Sequence, residues 1–300
     1  MNIINSQKKI TILTPTYNRA HTLSRLYESL LYQSNKNFDW VIVDDGSSDD
    51  TRKVVEKFHD DYFEIKYFYK ANGGKHTAIN YGMKYINTDY TFIVDSDDYL
   101  CDSAIELINE WIEDVDNDIE FAGVAGVRIK DYQGYNIIGQ FPKGYEYIDC
   151  LNSERRGKKL MGDKAEIYRT ELLKNNPFPE FKDEKFIPES VIWNKFSNMG
   201  LKVRWHKEGI VVCQYLEGGL TSEMKNIEHF VNNFKGYTED CRISLKAFRF
   251  PYNISAGSVF CAKCIATGRA EKNMKCFDTS ALKRCLMVVL GKIRHMTGRY

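Results

Sequence analysis

The first hundred residues alternate between two hydrophobic periods, and this alternation constrains the fold more than any other feature of the chain. Lys9–Thr14, Trp40–Val43, Ile65–Tyr69 and Tyr90–Val94 are short β-branched and aromatic runs that read as strands. Helical faces lie between and after them. Leu23, Leu26, Tyr27, Leu30 and Leu31 share one side of a helix, and Val54, Val55 and Phe58 make a shorter face. Ile79, Gly82, Met83 and Ile86 form a third, and Ala104, Leu107, Ile108, Trp111, Ile112 and Val115 a fourth. Strands joined by helices through short connections build a largely parallel sheet covered on both faces. Such sheets bind ligands beyond the carboxyl ends of their strands, so the polar residues that end these strands are the ones to read for chemistry.

The first strand runs into Thr14-Pro15-Thr16-Tyr17-Asn18-Arg19, and the second into Asp44-Asp45-Gly46-Ser47-Ser48-Asp49-Asp50. Each suits either a ligand edge or ordinary turn chemistry. The fourth ends in Asp95-Ser96-Asp97-Asp98-Tyr99. Three carboxylates in four residues repel one another unless a cation or solvent relieves them. Carboxylates at i and i+2 of an extended strand end point the same way and suit a hard divalent ion shared with phosphates. The plain alternative is a solvated loop in which Asp98 or Asp102 caps a helix over 103–115. An EF-hand calcium loop fails, because Tyr99 and Leu100 stand where an oxygen ligand and a glycine are needed. The Asn72-Gly73-Gly74-Lys75-His76 segment, leading into a helix, fits either an anionic group or a plain turn.

Beyond about residue 119 the pattern becomes irregular, with short strands at Phe121–Ile129 and Val203–His206, and reads as a second half-domain walling a cleft. From 226 onward helix formers dominate, apart from a break near Pro251–Ser258.

Composition excludes several classes. A chain with 43% apolar residues, 17 Phe and 19 Tyr has ample core material, so disorder is not a serious reading. A formal net charge of +1 argues against wrapping nucleic acid. No apolar run reaches the roughly 18 residues of a membrane span, and MNIINSQKKITILTPTYN has no signal-peptide pattern, so a cytoplasmic protein is expected. The eight cysteines then read as reduced core thiols. The Cys261-Ala-Lys-Cys264 pair has half the spacing of a zinc site, but the gaps to Cys276 and Cys285 match no common finger, so buried helix cysteines are expected.

Taken in order, TPTYNR, VDDGSSDDT, NGGK and VDSDDYL resemble the family 2 glycosyltransferases. The resemblance spans about residues 8–225 and extends to Gly162-Asp163-Lys164 and to Phe186-Ile187-Pro188-Glu189-Ser190 with Trp193. It implies a GT-A fold, an α/β Rossmann-like nucleotide-binding sheet with an acceptor-side subdomain, that inverts the donor's anomeric centre. The implied domains are a GT-A domain over 1–225, with a nucleotide-sugar half at about 1–115 and an acceptor half at about 116–225, and a helical C-terminal extension over 226–300.

The resemblance also assigns roles. Asp45 matches the aspartate that accepts a hydrogen bond from uracil N3–H, Thr14 lies beside the base, and Pro15, Tyr17 and Arg19 shape that pocket. Lys75 lies near the nucleotide. Asp95 and Asp97, with Ser96 between them, match the DxD motif: Asp95 near the ribose, Asp97 on Mn²⁺ or Mg²⁺ bound to the diphosphate. Glu189 matches the acidic residue that takes the acceptor proton, although Ser190 replaces the family's usual aspartate after it. A cap of the following helix is the alternative role for Glu189. Asp163 is an acceptor-side candidate, His206 a candidate for the diphosphate or metal, and 215–221 a candidate closing loop.

The implied activity is metal-dependent, inverting transfer of a sugar from a UDP-sugar to a glycan or lipid-linked glycan acceptor, stepwise, in a bacterial surface glycan such as capsule, O-antigen or exopolysaccharide. Two rivals differ in sequence requirements. A sugar nucleotidyltransferase opens with a glycine-rich loop where this chain has TPTYNR, and a non-catalytic nucleotide-sugar or carbohydrate-binding protein has no need of Asp95, Asp97 and Glu189 together. In the tail, Leu282, Leu286, Val289, Ile293 and Met296 form one apolar stripe among Lys283, Arg284, Lys292, Arg294 and Arg299, with no acidic residue over 282–300. The stripe fits a helix docked on the catalytic domain, the favoured expectation, or one lying in an anionic headgroup layer at the inner face of the plasma membrane.

Overall fold

In a computed structural model of the chain, the structure describes residues 9–130, 136–213, 226–269 and 277–299. The alternation read from the sequence is present. Strands β1 (Ile10–Thr16), β2 (Phe38–Asp44), β3 (Ile65–Tyr69) and β4 (Tyr90–Ile93) pair in parallel in the order β3-β2-β1-β4. Helices α1 (Leu23–Leu31), α2 (Thr51–Val55), α3 (Lys75–Gly82) and α4 (Ala104–Val115) connect or follow them. Every residue of β1 is buried, as in a parallel strand covered on both faces. Ile10, Ile12, Trp40, Ile42, Tyr90 and Phe92 pack with Leu23, Leu26 and Leu30 of α1 and with Ile105, Ile108 and Ile112 of α4. The predicted apolar faces of α1 and α4 are therefore their packing faces.

The rest of the sheet departs from the largely parallel expectation. Strands β5 (Tyr99–Leu100), β6 (Phe121–Ile129), β7 (Tyr147–Cys150), β8 (Lys164–Arg169) and β9 (Lys202–Val212) extend it. β8 runs antiparallel to both β4 and β6, β9 parallel to β6, and β5 and β7 antiparallel to β9. The sheet is thus mixed, with its parallel half built from the N-terminal strands. A Cβ at Gly123 of β6 would lie 2.0 Å from the Ile167 carbonyl oxygen, so glycine is what lets β6 and β8 approach there. The short strand read at Val203–His206 is the start of the much longer β9. A further helix, α5 (Thr170–Asn175), follows β8.

The chain forms two compact units: the described residues of Met1–Phe178 with Gly200–Gln214, and those of Pro179–Met199 with Tyr215–Tyr300. This division differs from the boundary expected at 225, because the segment carrying Glu189 belongs with the C-terminal helices. In that second unit lie α6 (Ser190–Asn198), α7 (Ile227–Asn232), α8 (Phe234–Ala247), α9 (Tyr252–Ala266) and α10 (Ala281–Met296). Glu184 accepts from the backbone N–H groups of Lys235 and Gly236, both at 2.9 Å, tying the 179–199 segment to the start of α8. Phe230, Tyr237, Phe260, Phe277 and Met287 form the core of this unit, with Cys261 and Cys264 inside it as buried thiols. Cys276 and the candidate loop at 215–221 lie outside the described residues.

α10 does not dock through the stripe its sequence displays. Its buried residues are Met287 and Gly291, and a Cβ at Gly291 would meet Cys261 Sγ of α9 at 2.9 Å. Leu282, Leu286, Val289, Ile293 and Met296 lie on the other side of the helix and are 40–81% exposed. Among the described residues no helix is long and apolar enough to cross a membrane.

Candidate active site

The ends of β1, β2 and β4 and the segment after β3 bring their polar residues into one network. At the end of β1, Thr14 is fully buried and its Oγ1 accepts from Trp40 Nε1 at 3.0 Å, so its side chain is spent on the core. Pro15 is also buried, whereas Tyr17 is 47% exposed. Asn18 has φ 52° and joins the first two loops: its backbone N–H donates to Ser47 Oγ and its Oδ1 accepts from the Ser48 N–H, each at 2.8 Å. Gly46 takes φ +86°, and a Cβ there would lie 2.8 Å from the Asn72 nitrogen. That close approach lets the Asp-Gly turn seat against the 70–75 segment.

Asp45 is almost completely buried and both its oxygens are engaged. Oδ1 accepts from Lys70 Nζ at 2.6 Å and from the Gly73 N–H at 3.0 Å. Oδ2 accepts from the Gly74 N–H at 2.7 Å and from Asn72 Nδ2 at 3.1 Å. In the structure, then, Asp45 clasps the Asn-Gly-Gly turn. Its neighbour Asp44 is structural as well, accepting from the Ser47 N–H and from the Tyr67 hydroxyl, both at 2.7 Å.

The acidic cluster leaves β4 as a turn, not as an extended strand end, with the Asp98 N–H donating to the Asp95 carbonyl at 3.1 Å. α1 anchors this turn by its backbone. Thr22 Oγ1 donates to the Ser96 carbonyl at 2.9 Å, and Arg25 donates to the Asp97 carbonyl. Ser96 itself is buried. The three carboxylates face different partners. Asp95 is ion-paired with Lys75 and lies 3.8 Å from Arg128. Burial alone would raise its pKa, but Lys75 and then Arg128 outweigh burial and hold the group below the usual carboxylate range. Asp97 lies 3.7 Å from Arg19 Nη2.

Asp98 does not cap α4. That helix begins after Ser103, whose side chain makes no cap bond. Asp98 instead accepts from Arg128 Nη1 at 2.6 Å and from the Cys213 thiol at 3.2 Å. Burial pushes its pKa up to about 6, against the pull of Arg128. Arg128 also donates to the Lys164 carbonyl at 2.9 Å. Sequence reading missed this arginine, and the available signal was a cation inside the apolar run of β6, where burial demands a carboxylate partner.

Two remaining candidates sit elsewhere in the first unit. Asp163 is exposed on a turn whose carbonyls are gripped from below. Buried Lys164 donates from Nζ to the carbonyls of Met161 at 2.6 Å and Asp163 at 3.3 Å, and Arg155 donates to that of Gly162. Burial, with Arg155 adding repulsion, lowers the Lys164 pKa to about 8. His206 belongs to β9 and stacks on Trp111 of α4, with ring centroids 4.1 Å apart. Burial lowers its pKa to about 3, with Arg204 adding to the effect. A neutral, stacked imidazole is placed for packing, and the structure does not bring it into the Asp95–Arg128 network.

Glu189 lies in the second unit, half-buried at the N-cap position of α6. Its side chain makes no cap hydrogen bond to the helix. The following residue, Ser190, donates to Asp240 Oδ1 of α8 at 2.5 Å. Burial pushes the Asp240 pKa up to about 6. No sequence motif pointed to Asp240.

Among the described residues no three or more His, Cys, Asp or Glu side chains cluster as a cation cage. The donor set at the cluster is two partly exposed carboxylates, Asp97 and Asp95, paired with Arg19 and Lys75, while Asp98 is buried against Arg128. That set suits a hard divalent ion whose remaining ligands are phosphate oxygens and water, and it does not suit a metal held by protein alone.

Residues 11–175 match the family model described as glycosyl transferase family 2. A GalNAc(5)-diNAcBac-PP-undecaprenol beta-1,3-glucosyltransferase of Campylobacter jejuni is 28% identical over 189 residues, 62% of this chain and 58% of that protein. The glycosyltransferase GlyA of Streptococcus pneumoniae is 32% identical over 178 residues, 57% of this chain and 26% of that one. The chain therefore spans between about a quarter and three-fifths of these relatives. Among solved structures, Staphylococcus aureus TarS 1–349 in complex with UDP-GlcNAc superposes with TM-score 0.60 at 21% identity, over 97% of this chain and 93% of that one. A mannosyltransferase of Pyrobaculum calidifontis in complex with GDP-Man and Mn²⁺ gives TM-score 0.58 at 15% identity, over 97% and 88%. These structural likenesses are to the fold.

Proposed function

We propose a function from one premise: this chain belongs to glycosyl transferase family 2. The function is metal-dependent transfer of a sugar from a UDP-sugar to an acceptor hydroxyl, with inversion at the anomeric carbon. The observation that carries this reading is the array at the strand ends, where Arg19 and Lys75 stand against Asp97 and Asp95. Cations and carboxylates so interleaved serve both halves of a metal–diphosphate: the carboxylates receive the ion, and the cations receive phosphate oxygens.

Asp97 would hold Mn²⁺ or Mg²⁺ jointly with the diphosphate, and Asp95 would lie toward the ribose. When bound, the ion offsets the negative charge that grows on the departing UDP. Arg19, which pairs with Asp97, and Lys75, which pairs with Asp95, are the proposed cations for the diphosphate oxygens. Tyr17 is the proposed exposed wall of the base pocket, and Thr14 and Pro15, both buried, would shape it from beneath. Asp45 holds the Asn72–Gly74 turn with its four acceptor sites filled by Lys70, Asn72, Gly73 and Gly74, so the proposed bond from uracil N3–H requires one of these donors to yield. Glu189 is the proposed base, taking the proton of the attacking hydroxyl. Asp163 remains a proposed acceptor contact on its exposed turn.

For the acceptor, we propose a glycan or lipid-linked glycan of a bacterial surface, added to one sugar at a time in the cytoplasm. The support is the Campylobacter relative, whose name specifies an undecaprenyl-linked acceptor. The outward stripe of α10 supports a peripheral place at the inner membrane face. Its five apolar residues are exposed and flanked by cations, with no acidic residue from 279 to 300. The test of the transfer reading is UDP release from UDP-glucose, UDP-galactose and their N-acetyl counterparts, with Mn²⁺ and with EDTA. Metal-dependent release from at least one donor is expected, and none from any donor would reject it.

A further inference from the structure

The family resemblance puts a carboxylate after Glu189, and this chain has Ser190 there. Ser190 is not left with an uncharged surrounding. Its hydroxyl donates to Asp240 Oδ1 at 2.5 Å, and Asp240 stands near the middle of α8. The contact is part of a seam between α6 and α8. Further along it, Asn194 Nδ2 donates to Ser244 Oγ at 3.2 Å, and Asn198 Nδ2 to the Ile243 carbonyl at 3.4 Å. Residues 190, 194 and 198 follow one face of α6, and 240 and 244 one face of α8, so the helices present these groups to each other turn by turn.

We propose that Asp240 supplies from α8 the carboxylate missing at position 190, and that the Ser190–Asp240 pair positions the acceptor hydroxyl beside Glu189. A serine has one proton to give. With it committed to Asp240, Ser190 Oγ offers only lone pairs to a further partner, and the carboxylate behind it strengthens them. Water, the simplest acceptor, has two protons, one for Glu189 and one for Ser190 Oγ. A sugar acceptor achieves the same with hydroxyls on adjacent carbons: one donates to Ser190 and fixes its neighbour against Glu189. Asp240 is therefore a positioning residue that acts through Ser190. The groups bearing on it are Ser190 of α6, Lys263 of α9 and Glu239 of α8. Lys263 is also engaged over the rings of Tyr237 and Phe230, at 4.9 and 5.5 Å. Burial holds Asp240 at a pKa of about 6, so its charge state changes just below neutral pH.

This inference rests on the glycosyl-transfer reading and on Glu189 as its base. The test measures kcat, KM and the pH profile for hydrolysis of whichever of the four UDP-sugars the full chain cleaves fastest. Calorimetric UDP affinity and circular dichroism confirm that each variant is folded. Asp240→Asn should lower kcat by about 10- to 100-fold, the scale of a lost hydrogen bond to a charged group, with KM for the donor unchanged. The acid limb of its pH profile should move as well. The exchange Ser190→Asp with Asp240→Ser returns the carboxylate to position 190 and should recover most of kcat, a rescue that a purely structural Asp240 would not permit. Full kcat in Asp240→Asn, or an exchange variant as slow as Asp240→Asn, overturns the inference. If Glu189→Gln is slow while Asp240→Asn is not, this inference alone fails. If Glu189→Gln turns over at the wild-type rate, the base assignment falls and takes the inference with it.

Discussion

Lys70 donates its ammonium to Asp45 Oδ1 at 2.6 Å, from a side chain only 18% exposed to a carboxylate only 4% exposed. Asp45 is the residue expected to read the nucleotide base, and the same carboxylate holds the turn that follows β3. The pocket and the turn are therefore coupled. Lys70→Met removes one of four donors to Asp45 and leaves the other three. The expected loss of stability is about 1–3 kcal/mol, less than for an abandoned buried charge, measured by urea unfolding. UDP affinity should fall in the same variant because the Asn72–Gly74 turn loosens. Unchanged stability together with unchanged UDP affinity would show that the clasp has no role in the pocket.

The second prediction follows from the raised pKa of Asp240. Between about pH 4 and 6 the folded chain holds a proton here that the unfolded chain has already released. Asp240 therefore costs nothing below about pH 4, and it lowers stability as the pH climbs through 6. The effect amounts to at most about 3 kcal/mol, each step of one in pKa being worth about 1.4. Asp240→Asn lacks this titration, so the difference in unfolding free energy between variant and wild type should move in favour of the variant across that window. Parallel curves from pH 4 to 7 would contradict the assigned environment.

The third concerns Glu189. Glu189→Gln keeps the shape of the side chain and cannot accept a proton at neutral pH. It should lose about 10²–10⁴-fold in kcat while calorimetric UDP affinity stays near wild type. Loss of UDP binding instead would make Glu189 a donor-site or structural residue.

The fourth concerns α10. Deleting this helix would strip Met287 from the core of its unit, so surface substitutions are the cleaner probe. Val289 and Ile293 are 47% and 46% exposed. The full chain should co-sediment with phosphatidylglycerol vesicles at low salt and not with phosphatidylcholine vesicles. Val289→Asp with Ile293→Asp should abolish that binding and leave UDP affinity intact. A wild-type chain that ignores anionic vesicles would remove the membrane proposal.

Much of the fold was legible because local pattern and tertiary burial agree. The periodic faces of α1 and α4 and the β-branched run of β1 are the surfaces that pack. The mixed half of the sheet was not legible, since the direction in which β8 pairs depends on partners distant in sequence. α10 shows a stronger failure: its most regular apolar stripe faces outward, and a methionine and a glycine make the packing face. In the site, order and spacing singled out Asp45, Asp95 and Asp97, whose loops do converge. The same pattern left Asp98 as a candidate cap, because its partner Arg128 is thirty residues on and in a different element. Asp240 was unreadable for the same reason. An acidic residue in a helix, here next to Glu239, carries no signal until the fold sets it against Ser190.

The central claim is that Asp97 and the diphosphate of a UDP-sugar together hold a divalent ion. Calorimetric titration of UDP into the wild-type chain and into Asp97→Ala, each with Mn²⁺ and with EDTA, tests it most directly. Wild type should bind UDP at least about tenfold more tightly with Mn²⁺ than with EDTA, a difference of about 1.4 kcal/mol, and Asp97→Ala should bind equally weakly in both. Equal UDP affinity for wild type with and without the metal, or a full Mn²⁺ enhancement in Asp97→Ala, would contradict it.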